Sequence, residues 1–73
     1  MTEHTTTVVL DHPPTELYKI LKFEGLASSG AEAKQFISDG LVLVNGEIET
    51  RKRKKIVTGD TIVFDNHILT ITE

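Results

Sequence analysis

Apolar residues recur at helical spacing in the first third of the chain. Leu17, Ile20 and Leu21 stand at i, i+3 and i+4, and this spacing produces one apolar stripe along an amphipathic helix. Two adjacent prolines come before the stripe and Gly25 comes after it. Proline suits the first helical position, and glycine commonly follows the last one. The pattern therefore predicts a helix that begins near residue 14 or 15 and ends at Gly25.

A second stripe follows after a short polar stretch. Ser29 and Glu32 match the S-x-x-E capping box, in which the serine oxygen accepts from the N3 amide and the glutamate reaches back to the cap. Ala33, together with the pair Phe36-Ile37, continues the helical period, and Gly40 stands where a left-handed residue typically ends a helix. We expect a second helix of about ten residues.

The spacing of apolar residues then changes from helical to alternating. Val42, Val44 and Ile48 flank Asn45-Gly46, the dipeptide best suited to a tight hairpin turn because both residues tolerate positive φ. This pattern predicts two short strands joined by that turn. Glu47 and Glu49 share one face of the second strand, either as an acid pair or as the solvated face opposite Ile48, where they can pair with the cations that follow. Ile48 should accordingly face the core.

Three further β-prone stretches complete the pattern. Residues 5–10 predict an N-terminal strand, and residues 61–64 and 67–72 predict a hairpin around Asp65-Asn66. Two short helices cannot bury their stripes against each other alone, so the sheet must supply the second layer. We expect an α+β fold with two short helices packed on a small, mainly antiparallel sheet.

Composition limits the size and class of the protein. The 73 residues suffice for a single domain spanning 1–73, and 38% apolar with 26% charged residues is typical of an ordinary globular domain. The chain has no cysteine, no apolar run long enough to cross a membrane and no signal-peptide pattern. We expect a cytoplasmic protein without a membrane role. A monomer is expected because no large surplus of apolar surface is evident.

Five adjacent cations directly follow the first predicted hairpin. Residues 51–55, called here the basic segment, read RKRKK and carry +5 in a chain whose net charge is −3, so the remaining residues carry −8. An acidic body with one concentrated basic segment favours directional binding of a polyanion. The alternative is a solvated charge run or a mobile loop.

Residues suited to catalysis or to a cofactor are sparse. His4, His12 and His67 lack the spacing of a helical metal site, and no phosphate-binding or dinucleotide fingerprint occurs. Ser29 has a helix-cap role and no base beside it, although the turn at Ser29 and Gly30 presents backbone amides that can bind a phosphate. The sequence therefore predicts no metal, no cofactor and no enzyme activity.

One pattern in the middle of the chain resembles a known signature. It reads A-K-Q-x-I-x-x-G-x-V-x-V-N-G, and the stripe before it fits the upstream half of the same motif over about residues 15–64. The signature resembles the RNA-binding domain of the ribosomal small-subunit protein S-four type, also called the alpha-L motif. The matching residues are Ala33, Lys34, Gln35, Ile37, Gly40, Val42, Val44, Asn45 and Gly46.

The segments SSGAEAK and NGEIETRKRKK resemble those of the small stand-alone bacterial proteins of the YbcJ type, which are similar to an isolated alpha-L motif with an added N-terminal strand. That resemblance implies binding of RNA. Many family members carry arginines at the start of the second helix, where this chain has Ser28, Ser29 and Gly30. We therefore expect the contacts with structured RNA, including ribosomal RNA as a candidate, to come mainly from Arg51, Lys52, Arg53, Lys54 and Lys55, assisted by Lys34.

Other partners stay open at the sequence level. The acidic body can instead dock on a basic protein such as a ribosomal protein, with the basic segment only orienting it. Phosphate contacts alone do not distinguish RNA from DNA. The basic segment lacks aromatic residues, so base stacking is less favoured than recognition of backbone shape with weak sequence specificity.

Overall fold

The computed structural model describes residues 4–10 and 13–72. These residues form two helices and seven strands. The elements are β1 (His4–Val9), β2 (Thr15–Glu16), α1 (Leu17–Phe23), α2 (Gly30–Ser38), β3 (Val42–Val44), β4 (Glu47–Ile48), β5 (Lys55–Ile56), β6 (Thr61–Phe64) and β7 (His67–Thr72).

Five of the strands form one sheet in the order β1-β7-β6-β3-β4. β1 runs parallel to β7, whereas all other neighbours in this sheet are antiparallel. β2 and β5 form a separate antiparallel pair. The expected fold, with two helices on a mainly antiparallel sheet and an added N-terminal strand, is confirmed.

Helix α1 begins later than the sequence predicts. Thr15 and Glu16 are extended and pair with β5, so the first helical residue is Leu17 rather than residue 14 or 15. The helix ends at Phe23, and its stripe of Leu17, Ile20 and Leu21 is fully buried. A short strand pair thus replaces the predicted first turn, because residues 40 positions away supply its hydrogen-bonding partners.

Helix α2 follows its prediction closely. The Ser29 hydroxyl oxygen accepts from the Glu32 N–H over 3.1 Å. The Glu32 carboxylate, however, accepts from the N–H of Ser28 over 2.8 Å, one residue before the expected cap amide. The helix ends before Gly40, whose φ of 77° is the left-handed conformation expected there.

Both predicted hairpins are present. Asn45 and Gly46 have φ values of 53° and 86°, as a type I′ turn requires. The Asn45 side chain also joins this turn to the following one, since it donates to the Asp60 carboxylate over 3.0 Å and accepts from the Thr61 N–H over 2.9 Å. The expectation for Ile48 was wrong: it is 65% exposed, because β4 is a two-residue strand at the sheet edge.

The core lies between the two helices and the five-stranded sheet. The rings of Phe36 on α2 and Phe64 on β6 stack with centroids 4.8 Å apart and join the two layers at one end. The two-stranded pair adds Ile56, which is fully buried. The largest fully buried side chains are Leu17, Ile20, Leu21, Ile37, Val42, Ile56, Ile62, Leu69 and Ile71.

Candidate nucleic-acid interface

The basic segment is attached to the first turn of α1 by backbone hydrogen bonds. The Leu17 N–H donates to the Lys54 carbonyl over 2.9 Å, and the Tyr18 N–H donates to the Lys52 carbonyl over 3.2 Å. Glu16, the N-cap residue, makes no side-chain cap bond. The carbonyls of the basic segment therefore satisfy amides that a helix leaves free at its N-terminus. This attachment argues against the mobile-loop alternative.

A tight turn shapes the segment itself. The Lys54 N–H donates to the Arg51 carbonyl over 3.2 Å, and Lys55 then pairs with Glu16 across the two-stranded sheet. The side chains of Lys52 and Arg53 lie at this turn and are exposed, while Lys54 is partly buried. The turn consequently spreads the charges over the surface beside α1.

Arg51 is paired within its own chain. Its guanidinium donates to both carboxylate oxygens of Glu49 over 2.9 and 3.0 Å, and its backbone N–H donates to the same carboxylate over 3.0 Å. The side-chain hydrogen bond from Arg51 lowers the pKa of Glu49 to about 2, despite partial burial that opposes the shift. The same bond raises the pKa of Arg51. In the free protein, Glu49 offsets much of the field of this cation.

Glu16 is a second carboxylate among the cations. It lies 3.3 Å from the Lys19 ammonium and 3.9 Å from the Arg53 guanidinium. Partial burial raises its pKa, but the hydrogen bond from Lys19 and the charges of Lys19, Lys55 and Arg53 together lower it below its ordinary value. Glu16 therefore stays ionised and holds cations from two elements near each other.

Tyr18 joins the basic segment to α2. Its backbone is bonded to Lys52, while the ammonium of Lys34 lies 4.6 Å from its ring centroid. A second ammonium, that of Lys19, lies 6.0 Å from the same centroid. The ring also contacts the start of α2, since a Cβ at Gly30 would meet its carbon atoms at 3.5 and 3.7 Å. One half-buried ring thus connects the three elements that carry these cations.

One family of known proteins matches most of the chain. The family model of the S4 domain matches residues 8–72. The chain belongs to the S4 domain family. The matched residues extend beyond the predicted motif core at 15–64, from the last two residues of β1 to the end of β7.

Individual relatives and one solved structure are also similar to this chain. "Putative RNA-binding protein YbcJ" of Escherichia coli (strain K12) is 54% identical over 56 residues, which are 77% of this chain and 80% of YbcJ. "Probable ribosome maturation protein RlbA" of Bacillus subtilis (strain 168) is 34% identical over 58 residues, or 80% of this chain and 82% of RlbA. The solution structure of Escherichia coli YbcJ, described as containing an alpha-L motif involved in RNA binding, has a TM-score of 0.68 and 42% identity and covers 100% of this chain and 91% of that one. The resemblance to the YbcJ type is confirmed.

The S4 domain brings together most residues that the sequence singled out. Lys34 lies over Tyr18, beside the basic segment, and Gly30 lies against the same ring. The Ser29 hydroxyl accepts the Glu32 N–H, so only the backbone of this turn remains for a phosphate. Contact of any of these residues with RNA stays a prediction.

Sequence reasoning missed Tyr18 and Glu16. Both stand next to Leu17, and neither belongs to the apolar stripe or to a charge run. Their partners in the basic segment lie more than 30 residues away in the sequence. The only local sign of a special role is their position at the start of α1. Their roles follow from tertiary contacts that no local pattern encodes.

Within residues 4–10 and 13–72, no three His, Cys, Asp or Glu side chains lie close enough to hold a metal ion. His12 lies outside these residues. None of the helices described is long and apolar enough to cross a membrane.

Proposed function

We propose that this protein binds structured RNA, without catalysing a reaction, through the basic segment and Lys34. The observation that carries the proposal is the attachment of the basic segment to α1, which holds its cations beside Tyr18 and the start of α2. Membership of the S4 domain family and the names given to YbcJ and RlbA support RNA as the ligand.

The cations differ in how freely they can contact phosphate. Lys52, Arg53 and Lys55 are exposed, and Lys54 and Lys34 are partly buried. Arg51 first has to share its guanidinium with Glu49 or leave it. Phosphate contacts carry no base information, so sequence specificity should be weak and RNA shape should dominate.

The free amides in the first turn of α2, near Ser29 and Gly30, provide an additional phosphate contact. Ribosomal RNA is the class of RNA ligand to test first, given the name of RlbA. The protein acts as a cytoplasmic monomer, with ribosomal proteins as candidate neighbours on the RNA.

A salt titration tests the proposal. The wild type and a variant with alanine at residues 51–55 are titrated with ribosomal RNA fragments and with duplex DNA. About five neutralised phosphates should give a slope of about −3 to −5 for log affinity against log salt. Lys34→Ala should also weaken RNA binding. Lys22→Ala is its single-cation control, because both residues lie on a helix but of the two only Lys34 contacts Tyr18.

Each outcome discriminates between functions. RNA preference lost in the folded five-alanine variant and unchanged in Lys22→Ala supports the proposal. Binding that is unaffected by the five changes contradicts it. In that case, retained capture of a basic ribosomal protein would support the alternative, in which the acidic body docks on a protein.

A further inference from the structure

Tyr18 combines an aromatic ring with two ammonium groups beside the basic segment. It is the only tyrosine of a chain that has no tryptophan. The Lys34 and Lys19 ammonium groups lie 4.6 and 6.0 Å from the ring centroid. None of the proposed phosphate contacts uses the ring itself, so its place at this surface calls for a separate explanation.

We propose that Tyr18, Lys34 and Lys19 form a subsite for one unpaired nucleotide. The base stacks on the tyrosine ring, and the two ammonium groups contact the phosphates on either side of that nucleotide. Lys19 exchanges its ion pair with Glu16 for this phosphate. Aromatic rings beside cations are the usual means of holding unstacked bases, because every base has a π-face. This inference rests on the proposed RNA-binding function and specifies which feature of the RNA is recognised.

The position of the ring connects the subsite to the basic segment. The hydrogen bond between the Tyr18 N–H and the Lys52 carbonyl fixes the start of the side chain next to the exposed cations. A phosphate chain that follows the basic segment therefore continues directly to the ring. The preferred ligand is a folded RNA with an unpaired nucleotide at a bulge, a loop or a junction. The aromatic residue absent from the basic segment is supplied by α1.

In the free protein the Lys34 ammonium lies over the face of the Tyr18 ring, so it has to move when a base stacks there. A single cation–π contact at a partly exposed site is weaker than stacking of a base on an aromatic ring. The displaced ammonium can also contact the phosphate that accompanies the base. Exchange of these partners is therefore favourable. Lys34 acts as a cover for the ring before binding and as a phosphate contact afterwards.

A fluorine label tests the subsite without any substitution. Protein grown with 3-fluorotyrosine carries a single ¹⁹F signal, because Tyr18 is the only tyrosine. The labelled protein is titrated with two hairpin RNAs that differ only by one bulged nucleotide. We expect a shift of the ¹⁹F signal with the bulged RNA, a much smaller shift with the paired RNA, and about tenfold tighter binding of the bulged RNA.

Two variants complete the test. Tyr18→Leu should bind the bulged RNA about tenfold more weakly than the wild type and the paired RNA equally well. Tyr18→Phe keeps the ring and should keep the preference. An unshifted ¹⁹F signal, or equal affinity of the wild type for both RNAs, overturns the subsite and leaves RNA binding standing. If the wild type binds neither RNA, the proposed function fails together with the subsite.

Discussion

The backbone N–H of Leu17 donates to the carbonyl oxygen of Lys54 over 2.9 Å. This bond gives a first-turn amide of α1 a partner in the basic segment. The helix and the basic segment therefore form as one unit. Charge and fold are coupled at this point, since the cations hold their positions only while the first helical turn is intact.

This coupling predicts slow hydrogen exchange at the start of α1. First-turn amides have no intrahelical partner, yet those of Leu17 and Tyr18 should be protected because they bond to Lys54 and Lys52. Ile56→Ala removes a fully buried side chain at the base of the segment. It should lower the free energy of unfolding by about 2–4 kcal/mol and reduce protection at both amides, as measured by amide exchange in NMR spectra.

Val57→Ala is the control for this substitution, because Val57 is the neighbouring β-branched residue and is 45% exposed. It should change stability by less than about 0.5 kcal/mol. Rapid exchange of Leu17 and Tyr18 in the wild type would contradict the attachment of the basic segment to α1.

Local patterns predicted much of this fold correctly. The stripes of α1 and α2, the cap at Ser29 and the turn at Asn45 and Gly46 all depend on neighbours within a few positions. The strand pair β2–β5 was missed because its two-residue strands have no periodicity and exist only through a contact 40 residues apart. Ile48 was assigned to the core because alternation in so short a strand cannot reveal that it lies at a sheet edge.

The candidate site was predicted less completely than the fold. The sequence identifies the basic segment and Lys34 as concentrated or recognisable features, but the site also includes Tyr18, Glu16 and the Glu49 carboxylate bonded to Arg51. Tyr18 and Glu16 gain their roles from contacts with residues distant in the sequence. Glu49 instead bonds to Arg51 two positions away, a local pairing that the neighbouring charges already indicate. Charge counting alone overstates the field of the basic segment, since it treats Arg51 as unpaired.

The cap of α2 gives a prediction on stability. Ser29→Ala removes the oxygen that accepts from the Glu32 N–H, and it should lower the free energy of unfolding by about 1 kcal/mol. Ser28→Ala is the matched control, because its backbone N–H still donates to the Glu32 carboxylate. Urea denaturation of both variants checks the difference. Equal stability of the two would argue against a capping role for the Ser29 hydroxyl.

The pair of Glu49 and Arg51 gives a prediction on pH. The pKa of Glu49 is lowered from its ordinary value of 4.5 to about 2, first by the side-chain hydrogen bond from Arg51. A depressed carboxyl pKa stabilises the fold above the pKa of the unfolded state, and this stabilisation is lost as the pH falls through the folded value. Stability should therefore decline between about pH 4.5 and 2, by about 1 kcal/mol because Arg51 is mostly exposed.

Glu49→Gln removes this contribution at every pH. Its stability at neutral pH should be lower than that of the wild type, and the difference should vanish as the pH approaches 2. Thermal unfolding followed from pH 7 to pH 2 measures both. Glu47→Gln is the control, since the exposed Glu47 lies two residues before Glu49, at the start of β4, and the ion pair of Arg51 is with Glu49. A constant difference between wild type and Glu49→Gln over this range would contradict the pairing.

The same carboxylate should also weaken RNA binding. Glu49 holds the Arg51 guanidinium through two hydrogen bonds and places a negative charge beside the proposed phosphate path. Glu49→Gln should free Arg51 and strengthen RNA binding by a few-fold at low salt, an effect of about 0.5–1 kcal/mol that declines as salt screens the charge. Arg51→Ala should weaken binding more than removal of one isolated cation, because it leaves Glu49 uncompensated.

The double variant Glu49→Gln/Arg51→Ala separates these contributions in fluorescence-anisotropy titrations with a labelled RNA. If Glu49→Gln binds RNA no more tightly than the wild type at any salt concentration, Arg51 does not contact phosphate, and the remaining cations of the surface account for the binding.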